Sequence, residues 1–78
     1  MPQTRANGAA IRVIRERSDM SVRDLVAAMA EQNVQIHPDY LRNIELGYKH
    51  PSERVLGALA RALKCPKVAL LADVVDVA

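Results

Sequence analysis

The sequence predicts an all-α fold of five short helices, on three observations. Half of the 78 residues are hydrophobic, yet there is no Phe or Trp and only two Tyr. The core must therefore be aliphatic, a mixture of Leu, Ile, Val, Met and Ala that favours close-packed helices. Apolar residues recur at three- and four-residue spacing rather than in alternation. Helix-start and helix-stop residues punctuate these runs at short intervals: Asn7, Ser21, Pro38, Ser52 and Pro66 at starts, Asn33 and Gly47 at ends.

Taken in order, residues 1–7 read as an N-terminal arm, loose over 1–6, with 8–72 as one compact domain and 73–78 as a tail. Asn7 and Gly8 open a first helix running to Arg17, with Ala10, Ile11, Val13 and Ile14 as its buried side. Ser21 caps a second helix through the pattern S-V-R-D, in which Asp24 stands where a capping-box acid belongs. Val22, Leu25, Val26 and Met29 line that helix, which is expected to reach Gln32, with Asn33 as a left-handed terminator. Pro38 opens a third helix at its first position and Gly47 closes it. Ser52 caps a fourth, carrying the apolar stripe Val55, Leu56, Leu59, Ala60 and Leu63. Pro66 opens a fifth with Val68, Leu70 and Leu71, after which β-branched residues suit a strand or a disordered end better than a helix.

Composition narrows the function classes. Net charge is +2, from eleven Lys and Arg against nine Asp and Glu. That permits a polyanion partner without demanding one. The positive charge leans to the N-terminal side: residues 1–18 hold Arg5, Arg12, Arg15 and Arg17 against Glu16 alone. A single cysteine, Cys65, has no disulfide partner and no zinc-ligand spacing, and reads as a half-buried residue in a reducing cytosol. There is no signal-peptide core and no apolar run of membrane-spanning length, so a cytoplasmic protein is expected. Two His, one Cys and scattered carboxylates form no nucleophile–base pair or metal set, so neither catalysis nor a metal, cofactor or small-molecule ligand is expected.

The stretch "IHPDYLRNIELGYKH", residues 36–50, is the most informative. At 100° per residue, Leu41, Ile44 and Glu45 share one side of the third helix, while Asp39, Arg42, Asn43 and Leu46 lie opposite, with Tyr40 on a flank. Arg and Asn are side chains able to make paired hydrogen bonds to guanine and adenine edges in a major groove. A capped second helix followed by this polar-faced third describes a helix-turn-helix unit. Ser21 and Arg23 stand at the N-terminus of the second helix, where partial positive charge favours phosphate. Tyr40, Tyr48, Lys49, His50 and Ser52 supply further phosphate-directed donors around the third.

The segments "IRVIRERSDMSVRDLVAAMA", "YLRNIELGYKHPS" and "LGALARALKCPKVALL" together resemble the lambda-repressor/Cro helix-turn-helix family, also called the XRE type. The resemblance spans residues 8–72 and implies a five-helix domain that binds double-stranded operator DNA, usually as a homodimer on a two-fold site. It implies that Arg15 and Glu45 form a structural ion pair between the first and third helices; the core-facing position of Glu45 agrees. By position, His37, Pro38, Asp39 and Asn43 fall where the family puts base-facing residues, with Arg42 beside them. Asp39 either accepts from a cytosine amine or stabilises the helix start. The chain departs from the family in a longer stretch from Leu25 to Glu45, whose extra residues around 31–35 either lengthen the second helix or enlarge the loop, with Val34 and Ile36 as apolar anchors. It also departs at His37, a weak cap that leaves the helix start open by one residue.

The expected function is a small transcriptional regulator of repressor or Cro type. It suits a phage or mobile element, since almost no chain lies beyond the DNA-binding unit, and it acts by occupying an operator and competing with or contacting RNA polymerase. Leu70, Val74, Val75 and Val77 exceed what the last helix needs for packing and are the expected dimer contacts. The alternative is a helix-turn-helix scaffold used to grip a protein, as in an antitoxin or co-regulator.

Overall fold

The computed structural model describes residues 5–72. Among them are four α-helices: α1 (Gly8–Arg17), α2 (Val22–Ala30), α3 (Pro38–Leu46) and α4 (Glu53–Leu63). The expected fifth helix is a 3-10 turn, Lys67–Leu70. Pro66 and the turn to Leu71 leave only four residues for it, enough for i→i+3 bonding but not for an α-helix.

Local chemistry sets the helix ends. Asn7 Oδ1 accepts from the Ala10 amide at 3.2 Å to start α1. In α2 the capping box is complete: Ser21 Oγ accepts from the Asp24 amide at 3.0 Å, and the Ser21 amide donates to Asp24 Oδ2 at 2.9 Å. The helix stops at Ala30, short of Gln32, and the chain turns through Asn33 at φ 62°. The longer stretch after Leu25 thus enlarges the turn rather than the helix.

α3 packs on α1 and α2, while α4 packs on α2 and the 3-10 turn. Ile11, Leu25, Met29, Leu41, Ile44, Leu59 and Leu70 are the large side chains fully shielded at the centre. Each apolar one contributes about 1.5–3 kcal/mol relative to exposure. Val13 is not among them. It lies 200° around the helix from Ile11 at the standard 100° per residue, which turns it to solvent.

Two further expectations are corrected. The N-terminal arm is pinned from Arg5 onward: β1 (Arg5–Ala6) pairs antiparallel with β2 (Leu71–Ala72), and the Asn7 amide donates to the Leu70 carbonyl at 2.6 Å. Leu70 is no surface dimer contact. Its side chain is 0% exposed within this chain's own core, because the 3-10 turn folds it onto α1 and α4. The other three expected dimer contacts, Val74, Val75 and Val77, lie outside the described residues.

Candidate nucleic-acid interface

The outward side of α3 is held in place from its inward side. Leu41 and Ile44 are buried, and beside them Arg15 grips Glu45 with two parallel bonds, Nε to Oε2 at 2.7 Å and Nη2 to Oε1 at 3.0 Å. Arg15 Nη1 also donates to the Met20 carbonyl at 2.9 Å, tying the α1–α2 connection to the same guanidinium. The two side chains are only 10% and 6% exposed. The Glu45 hydrogen bond raises the Arg15 pKa further above its ordinary value, against an opposing push from burial, so the cation persists at every working pH.

Both ends of α3 are fixed as well. His37 is the N-cap: its Nδ1 accepts from the Asp39 amide at 3.0 Å, so α3 begins at Pro38 with no offset. That bond requires an unprotonated Nδ1. At the other end Gly47 adopts φ 88°, and the Asn43 carbonyl accepts from the amides of Tyr48 at 2.8 Å and Lys49 at 3.2 Å. This closure fixes where the exposed Tyr48–Lys49–His50 segment leaves the helix.

Of the expected base-facing residues, Asp39 and Arg42 are exposed at 72% and 51% of their side chains, and Asn43 and Pro38 are half-buried. Arg42 Nη1 donates to Asp39 Oδ1 at 2.7 Å. The carboxylate is thereby matched by a local cation, which offsets its repulsion of a phosphate. An exposed pair of this kind contributes under about 1 kcal/mol to stability. Leu46 completes this face at 61% exposure.

The expected phosphate-directed groups surround the helix unevenly. Ser21 and Arg23 are exposed at the start of α2. A shallow groove of about 240 Å³ lined by Val22, Arg42 and Leu46 joins that start to the outward side of α3, with Arg12 and Glu16 of α1 along it. Ser21 and Ser52 use their oxygens as acceptors for Asp24 and Val55 amides, which leaves each hydroxyl hydrogen available to an acceptor outside. Tyr40, on the flank of α3, packs its ring against the core and is half-buried. Asp24 stays well charged, its pKa lowered first by the Ser21 backbone bond and then by the Ser21 hydroxyl. Burial pushes the Cys65 thiol up, away from nucleophilic chemistry.

Sequence reasoning missed the residues that stiffen the turn. Gln32 Nε2 donates to the Ala58 carbonyl at 3.0 Å, Arg61 Nε to Gln32 Oε1 at 2.6 Å, and Arg54 Nη2 to the Asn33 carbonyl at 2.8 Å. Their partners lie more than twenty residues away, beyond any local pattern.

The family model described as a helix-turn-helix domain matches residues 8–74. The chain belongs to the helix-turn-helix domain family. No curated protein and no solved structure matches it. In this helix-turn-helix domain α2 and α3 pack on one another, and the family supports DNA binding by a regulator in general terms. No helix among the described residues of the domain is long and apolar enough to cross a membrane.

Proposed function

We propose that this protein is a sequence-specific regulator of transcription of the lambda-repressor/Cro type, reading the major groove of double-stranded DNA with α3. One observation carries the reading. The inward side of α3 is locked by Leu41, Ile44 and the paired bonds of Glu45 to Arg15, while Arg42 and Asn43 remain on the opposite side. A rigidly held helix with paired-hydrogen-bond side chains facing out is what direct readout needs.

Asn43 is assigned an adenine edge, Arg42 a guanine edge, and His37 and Pro38 the groove wall at the helix start. Ser21, Arg23, Tyr40, Tyr48, Lys49, His50 and Ser52 are assigned to phosphates, Tyr40 from a half-buried position. The protein acts without catalysis, in the cytoplasm, as a homodimer on a two-fold operator and against RNA polymerase. Val74, Val75 and Val77 remain the proposed pairing segment. A phage or mobile-element origin belongs to the same proposal.

Selection of bound sites from random duplexes tests the reading, with Asn43→Ala as the comparison. The variant is expected to lose discrimination at one base-pair position by about 1–3 kcal/mol. Affinity should also fall steeply as salt rises, through release of counterions. Wild-type preference retained by Asn43→Ala at every position removes the α3 assignment. The exposed Leu46 on this same face favours a second reading, a protein-gripping scaffold. Salt-insensitive binding to a protein, with no duplex shift at low salt, selects it instead.

A further inference from the structure

The turn between α2 and α3 is longer than a helix-turn-helix connection of three or four residues, yet it is firmly held. Gln32 is fixed between the Ala58 carbonyl and Arg61, and Arg54 holds the Asn33 carbonyl. The Val34 amide donates to the Met29 carbonyl at 3.2 Å, and the Val34 side chain is buried. Beyond Val34 the chain runs without helical bonds to His37, and burial alternates along it. Val34 is buried and Ile36 packs against the core, while Gln35 and His37 are exposed.

Alternation of this kind belongs to extended chain, in which residues two apart share a side. Gln35 therefore stands on the same side as His37, the cap of α3, on a backbone anchored just ahead of it. Residues two apart in extended chain are separated by about 6.6 Å, close to two steps of about 3.4 Å along a DNA strand.

We propose that Gln35 is a base-reading residue of this domain, contacting the N6/N7 edge of an adenine one or two base pairs beyond those met by the first turn of α3. The inference rests on the groove reading of α3 given above. The N-terminal end of a recognition helix meets the base edges, so a side chain carried immediately before that end is in reach of the same groove. The amide of glutamine matches adenine with both of its groups: the oxygen accepts from N6–H and the NH2 donates to N7. A phosphate engages only the donor. The held backbone removes the ordering cost that a loose turn pays on binding.

The test uses the full chain. The preferred duplex is selected for wild type and for Gln35→Ala, whose exposed position leaves the thermal melt unchanged as a folding control. Each adenine of the selected site is then replaced in turn by 7-deazaadenine, which lacks the N7 acceptor. Gln35→Ala is expected to lose preference at a single position. At that position the 7-deaza base should weaken wild type on the order of tenfold and leave Gln35→Ala unaffected. A uniform loss of affinity across sequences, the mark of a phosphate contact, overturns the proposal, as does an unchanged selected site. If wild type selects no duplex at all, the groove reading of α3 falls and this inference falls with it.

Discussion

At the scale of single residues, the Arg15–Glu45 pair is the interaction with the largest expected effect. Both charges are withdrawn from water, so removing one leaves the other buried without its partner. Glu45→Ala is expected to cost about 3–5 kcal/mol in urea denaturation. Replacing both residues by apolar ones of similar volume should recover most of that, because the cost is one of an orphaned charge rather than of a lost attraction. Arg15 adds no pH dependence of its own, since its pKa is raised from a value already far above the working range. Asp24 does. Its pKa is lowered from the ordinary 3.8, so its contribution is fully present above that value and disappears as the pH falls through the depressed one. Thermal melts taken across that window should show an acid limb that Asp24→Asn flattens. Asp24 was legible in the sequence because a capping box is local, with both partners within four residues. His37 was read only as a weak cap, since an imidazole cap depends on a ring orientation that residue type alone does not fix.

At the scale of elements, the contact between α1 and α3 is closer than side-chain packing alone permits. A Cβ added at Gly8 would fall onto the carbonyl oxygens of Ile44 and Glu45, about 2.6 Å from the latter, with backbone that cannot swing away. Gly→Ala inside a helix ordinarily stabilises by up to about 1 kcal/mol. Here the sign reverses, and Gly8→Ala is expected to destabilise by about 1–3 kcal/mol as α3 is pushed off α1. Thermal unfolding decides between the two signs. The four helices themselves were readable from Asn7, Ser21, Pro38, Gly47 and Ser52, which mark their ends by chemistry that needs no distant partner. The 3-10 turn was read as a helix because Val68, Leu70 and Leu71 carry a helix-like spacing over a stretch too short to establish a period. The stiffened turn was invisible for the opposite reason. Gln32, Arg54 and Arg61 are ordinary polar residues until the fold brings α4 against the end of α2.

At the scale of the whole molecule, the net charge of +2 permits a polyanion partner without demanding one, so affinity for DNA has to come from where the charges stand. The same holds for what the sequence revealed. The spacing of Leu41, Ile44 and Glu45 set one side of α3 toward the core, and Asp39, Arg42 and Asn43 followed by geometry. The joining of the segments that flank the four helices did not follow, because β1 and β2 are two residues each and carry no alternation to recognise. That joining bears on the order in which the protein assembles. Closing a loop of this length carries an entropic cost of about 4 kcal/mol, more than two residues of pairing and one amide bond from Asn7 to Leu70 can offset. The two strands are expected to meet only after the helices have condensed and carried them together. The clasp is thus expected to close late in folding, after the helices have packed.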